Sequence, residues 1–155
     1  MAMTEDKKIF IDTNILIYSY FDFSKWNKVA INKLRHFETK GIAFWISRKI
    51  IREYLVTATR INKKHKKEPL QNIDPIRFFS QFKIADENQL VTDQLISLVS
   101  EYKISGKLIH DANIVATMLV NNIPLILTHN IGDFARFKKI ITVVTLLAVI
   151  LKDGK

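Results

Sequence analysis

Cysteine is absent from this 155-residue chain. That removes disulfide staples, thiolate zinc sites and a cysteine nucleophile together. The opening residues Met1-Ala2-Met3-Thr4-Glu5-Asp6-Lys7-Lys8 contain no apolar core of the kind a secretory signal needs. Long hydrophobic runs are missing too. The greasiest stretch, Ile140 to Leu151, is interrupted by Thr142 and Thr145 and is too short to cross a bilayer as a helix. Internal repeats and low-complexity segments are lacking. The expectation is a soluble, cytoplasmic protein of one domain, residues 1–155, with no membrane partner. Hydrophobic residues make up 48% of the chain, enough for a real core. Acidic residues are the minority charge, 15 against 24 Lys and Arg, for a net charge of +9. Such a balance favours polyanionic partners such as RNA, DNA or an acidic protein segment, although ordinary solubilising charge produces it as well.

Among the few acids, Asp12 sits where the chain changes character. Ile9, Phe10 and Ile11 form a short apolar run suited to a strand buried on both faces. Thr13 and Asn14 supply turn and cap chemistry before a second apolar run of helical type. Asp12 then lies outside the carboxyl end of a central strand, where open α/β sheets keep their ligand crevices; capping the next helix is the plainer reading. Trp26, Val29, Ala30, Leu34 and Phe37 recur at helical spacing up to Lys40-Gly41. Ile42 to Ile46 reads as a second strand, with Ser47 as N-cap of a helix carrying Ile50, Ile51, Tyr54, Leu55, Ala58 and Ile61. Glu53 falls roughly 100° round from Tyr54, at the edge of that stripe.

Residues Asn62 to Asp74 read as a surface loop rich in Lys63, Lys64, His65, Lys66 and Lys67. A short helix is expected from Asp74-Pro75 through Phe78, Phe79 and Phe82. Lys83-Ile84-Ala85 reads as a brief edge strand, Leu90 to Tyr102 as a helix stopped near Ser105-Gly106, and Ile109 to Asn122 as a largely buried helix. Pro124 to Thr128 and Ile140 to Val144 complete five strands. Alternating helices and short apolar strands predict a three-layer α/β/α sandwich with a mostly parallel five-stranded central sheet.

That topology gathers four acids. Asp12 follows strand one, Glu53 lies on the helix after strand two, Asp111 stands in the first turn of the buried helix, and Asp133 lies just beyond strand four. Carboxylates crowded in one cleft raise one another's pKa, and a divalent cation removes that penalty. Oxygen ligands without thiolates suit Mg²⁺ or Mn²⁺ better than Zn²⁺. Each acid also has a plainer role. Asp111 complements a helix dipole, Glu53 pairs with Arg52, Arg60 or Thr57, and Asp133 caps a helical turn.

Ile11-Asp12-Thr13-Asn14-Ile15-Leu16, Ser47 with Glu53, His110-Asp111-Ala112-Asn113-Ile114 and Thr128-His129-Asn130-Ile131-Gly132-Asp133-Phe134 together resemble a PIN-domain ribonuclease, particularly the VapC-like toxins of bacterial VapBC toxin–antitoxin pairs. The resemblance spans nearly the whole chain. It implies a metal-dependent endoribonuclease in which Asp12, Glu53, Asp111 and Asp133 are both the catalytic residues and the ligands of Mg²⁺ or Mn²⁺. It implies supporting polar roles for Asn14 and Thr128, orienting acids or phosphate. Many members carry a further acid where this chain has Asn130, a departure that puts a second metal in doubt. The family also implies single-stranded or looped RNA as substrate, a cognate antitoxin as protein partner, and a homodimer.

The basic residues Arg60, Lys63, Lys64, Lys66 and Lys67 are candidates for RNA contact, against the alternative of a solvated loop. Trp26 is a candidate base platform or a core residue, and Phe21, Phe23 and Trp26 a candidate dimer face or monomer packing. Rival functions are a housekeeping PIN nuclease in RNA processing, a non-catalytic RNA- or protein-binding module of the same fold, and an aspartyl-phosphate phosphatase. The phosphatase requires a second Asp two residues after the first, where this chain has Asn14.

Overall fold

The computed structural model describes residues 7–74 and 80–147. Its elements run β1 (Lys8–Ile11), α1 (Thr13–Tyr20), α2 (Asn27–Thr39), β2 (Ala43–Ser47), α3 (Arg48–Lys64), β3 (Lys83–Ala85), α4 (Gln89–Tyr102), α5 (Ile109–Val120), β4 (Leu125–Leu127), α6 (Ile131–Phe134) and β5 (Thr142–Val144). The five strands form one sheet in the order β3-β2-β1-β4-β5. All four pairings are parallel, so the expected sheet is found without an antiparallel member. Phe10 of β1 pairs with Trp45 on one side and Ile126 on the other, which fixes β1 as the central strand.

Ile9, Phe10 and Ile11 are all fully buried, so the middle of the sheet is covered on both faces. Burial of side chains this size contributes about 1.5–3 kcal/mol each. The chain steps from β1 to β2 to β3 in one direction and returns past β1 to β4 and β5. Right-handed crossovers then put α1, α2 and α3 on one face and α4 and α5 on the other. Packing follows that division: α1 rests on α2 and α3, and α4 lies along α5. The reversal of direction falls between β1 and β4, the place where open α/β sheets leave a crevice.

Local chemistry explains the starts of the helices that matter. Ser47 accepts from the Ile50 backbone N–H at 3.3 Å as N-cap of α3, and Asn88 does the same for α4 through Val91 at 3.2 Å. In α5, Ala112, Ile114, Val115, Ala116, Thr117 and Met118 are all buried, as its all-round apolar pattern predicts.

The basic loop begins later than the sequence suggests. α3 continues to Lys64 because Asn62 extends the buried four-residue stripe of Ile50, Tyr54 and Ala58. Its side chain donates to the carbonyls of Pro69 at 2.8 Å and Gln71 at 3.2 Å, so an apparent loop residue is the polar end of a buried helix face. The helix expected from Asp74-Pro75 onward falls largely on residues 75–79, outside the described residues. Among the described residues, no helix is long and apolar enough to cross a membrane.

Candidate active site

Asp12 ends β1 and caps α1 at once, so the two readings of this residue are not exclusive. Its Oδ1 accepts from the Thr13 backbone N–H at 2.8 Å, and its own N–H donates to the Leu127 carbonyl of β4 at 3.0 Å. Oδ2 accepts from Thr128 Oγ1 at 2.8 Å, and Asn14 Nδ2 stands 3.5 Å away. Thr128 is fully buried and its Oγ1 also accepts from the Asn130 backbone N–H at 3.1 Å. Asn14 Oδ1 accepts from the His129 N–H at 3.2 Å, which fixes the orientation of its amide. Asn14, Thr128 and Asn130 therefore form one hydrogen-bonded clasp between the ends of the two central strands. They hold the Asp12 carboxylate in a single pose.

Glu53 reaches the same edge from α3. Its Oε2 accepts from Thr13 Oγ1 at 2.8 Å, and its Oε1 is paired with the ammonium of Lys49 one turn earlier. Its partners in space are thus Thr13 and Lys49 rather than the Arg52, Arg60 or Thr57 that its surroundings in sequence offer. Lys49 went unnoticed in the sequence, although an i, i+4 Lys–Glu spacing was there to read. Asp111 enters from the first turn of α5 and Asp133 from the first turn of α6. All four acids line one open cleft of about 410 Å³, with Thr13, Asn14, Tyr18, Lys49, His110 and Asn130 around them.

Electrostatics agrees with the geometry. Burial pushes the Asp12 carboxyl above its ordinary value; the bonds from Thr128 and Thr13 oppose this, Glu53 adds to it and Lys49 counteracts it. Asp111 is pushed up from 3.8 to about 6, first by burial and then by repulsion from Asp133 and Asp12, with Lys49 opposing and Glu53 adding. A carboxylate that feels three others is part of a shared negative notch. Among the described residues, no three His, Asp or Glu side chains already stand in ligating geometry. Glu53 has its two oxygens turned to Thr13 and Lys49. The donor set nevertheless fits a hard divalent cation: it is all carboxylate, and an ammonium already stands in as its positive charge.

The wider surroundings sort the remaining candidates. His110 lines the cleft and is exposed. His129 instead packs between two rings, 4.5 Å from Trp26 and 5.5 Å edge-on to Tyr18. Trp26 and Phe21 pack against the core, leaving Phe23, 60% exposed, as the open member of the proposed dimer face. Arg60, Lys63, Lys64, Lys66 and Lys67 are all exposed, and none of them lines the acidic cleft. A larger cavity of about 1010 Å³ lies along α2 and the β2–β3 edge, lined by Leu34, Phe44 and Phe82. Glu38 is the one carboxylate of its described lining, so size does not mark the chemistry here.

Residues 9–140 match the family model described as PIN domain. No curated protein matches the chain by sequence. Among solved structures it is similar to a toxin–antitoxin complex from Klebsiella pneumoniae, at 26% identity and TM-score 0.62, covering 91% of this chain and 99% of that one. It is also similar to VapBC2 from Rickettsia felis bound to a promoter DNA fragment, at 21% identity and TM-score 0.65, covering 89% and 98%. Mycobacterium tuberculosis VapC20, a toxin that cleaves the sarcin–ricin loop, matches at 14% identity and TM-score 0.57, covering 76% and 86%. With its family model spanning β1 to the approach to β5 and its acids drawn into one cleft at the β1–β4 crevice, the chain belongs to the PIN domain family.

Proposed function

We propose that this protein is a divalent-metal-dependent endoribonuclease and the toxin of a type II toxin–antitoxin pair. The observation that carries the reading is the shared cleft of Asp12, Glu53, Asp111 and Asp133, in which the charge of one acid is felt by the others. Family membership and the likeness to toxin–antitoxin complexes support it, and one similar structure is of an RNA-cleaving toxin. The antitoxin and a second copy of the chain are the expected protein partners.

In this mechanism each residue has a distinct task. Asp12, held by Thr13, Asn14 and Thr128, would be the fixed ligand of the cation, and Asp111, Asp133 and Glu53 are the other carboxylates of the cleft that would hold it. Mg²⁺ or Mn²⁺ held there supplies charge neutralisation at the phosphate and acidifies water. Asn14 and Asn130 present neutral polar groups at the rim, suited to orienting a phosphate oxygen without adding to the negative charge. Surface lysines such as Lys63, Lys64, Lys66 and Lys67 hold the flanking RNA backbone. Asn14 occupies the position where a phosphatase needs its general acid, and an amide bound to the His129 N–H has no proton to give.

Asp12→Asn tests the reading. The purified variant, incubated with tRNA, rRNA and mRNA in Mg²⁺, Mn²⁺ or chelator, is expected to lose cleavage by at least about a hundredfold while staying folded. Cleavage by this variant at the wild-type rate overturns the mechanism. Retained RNA binding by a wild-type protein that cuts nothing under any divalent ion points to the non-catalytic module.

A further inference from the structure

Lys49 is unusual among the 24 basic residues. Its side chain is only 14% exposed, it projects into the acidic cleft, and its ammonium is committed to Glu53. It stands on the first turn of α3, two residues after the Ser47 cap. A cation at a helix N-terminus works against the helix dipole, so the position does not favour a lysine for helix stability. The compensation comes from the cleft: Lys49 acts on Asp12 and Asp111 as well as on Glu53, three acids supplied by β1, α5 and α3. One ammonium therefore serves a cleft that gathers four carboxylates.

We propose that Lys49 is the resident counter-ion of the acidic cleft, and that a divalent cation must compete with it for Glu53. The inference rests on the proposed metal-dependent function and adds a residue that function does not require. With Lys49 in place, Glu53 Oε1 is taken by the ammonium and Oε2 by the Thr13 hydroxyl, so a cation that uses this carboxylate must displace a partner. Entry of a divalent cation takes over the neutralising role and breaks the Lys49–Glu53 pair. The released ammonium then faces the same cleft, where it meets the incoming phosphate. Lys49 is in this sense a positioning residue that sets the threshold of metal concentration for assembly.

Mn²⁺ binding to the full chain, followed by titration calorimetry without RNA, tests this. Lys49→Met keeps the length of the side chain and removes its charge. It is expected to bind Mn²⁺ about three- to tenfold more tightly than wild type, the scale of a partly screened ion pair within a charge network. Lys49→Arg is expected to stay near the wild-type affinity. Lys28→Met, at an exposed position on α2, controls for the change in overall charge and is expected to shift affinity little. The Lys49→Met protein should also melt at a lower temperature than wild type in chelator, with the gap closing when Mn²⁺ is added. Equal or weaker Mn²⁺ binding by Lys49→Met overturns the inference while leaving the metal-dependent nuclease standing. A wild-type protein that binds no Mn²⁺ overturns both.

Discussion

Thr128→Val isolates the bond that locks the two central strands together at the site. Valine keeps the branched shape and loses the hydroxyl, so the bond to Asp12 is cut together with those the hydroxyl accepts from Asn130 and Asn14. Thr128 is fully buried, and its Oγ1 donates to Asp12 Oδ2 at 2.8 Å. A hydrogen bond to a charged acceptor contributes about 1.5–3 kcal/mol. The extra methyl recovers up to about 0.8 kcal/mol. The Asn130 N–H also loses its acceptor, but it belongs to an exposed residue and turns to water. The net loss is about 1–2 kcal/mol, a fall of about 4 °C in Tm for a chain of this size. The pH dependence is more telling than the size. Thr128 favours the ionised form of Asp12, opposing the rise that burial imposes. The loss is therefore complete above the folded pKa of Asp12 and shrinks as the pH falls through it, because the bond is weaker to a neutral carboxyl. Urea denaturation of both proteins in chelator, at several values between about pH 4 and pH 8, measures this difference. A deficit that does not change with pH, or no deficit at all, refutes the reasoning.

Two further outcomes follow from the same geometry. Folded Asp111 keeps its proton up to about 6, against 3.8 ordinarily, so the metal-free protein loses stability as pH rises through that window. The loss is on the order of 1 kcal/mol once partial exposure is discounted. Asp111→Asn is expected to flatten the slope in chelator, and an unchanged slope in the variant contradicts the assignment. Asn62→Ala removes both donors to Pro69 and Gln71 at a cost of about 1–2 kcal/mol. It should expose the segment after α3 to limited proteolysis, and wild-type resistance would show that other contacts hold it.

What could be read in advance depended on whether the signal was local. The Ile9-Phe10-Ile11 run, the Ser47 cap and the all-round apolar α5 each carry their physics within a few residues, and each appears where the pattern places it. Asp12, Glu53, Asp111 and Asp133 were legible because a parallel sheet points all its strand ends one way, so topology alone brings them to one cleft. Lys49 and the Thr13–Glu53 bond were not, since a polar side chain's partner depends on which of several neighbours the tertiary fold brings nearest. Asn62 misled for a different reason. Asparagine in a lysine-rich stretch reads as loop, and only its place on the Ile50–Tyr54–Ala58 stripe reveals a buried helix position.

The clasp between Asp12 and Thr128 joins residues separated by 116 positions. During synthesis, Thr128 is added 116 residues after Asp12. Until β4 slides in beside β1, the leading carboxylate has neither its hydroxyl donor nor the acids of α5 and α6 at its side. Pairing over such a span is slow in any chain. The acidic cleft is consequently a late product of folding, assembled only once β4 has joined the sheet.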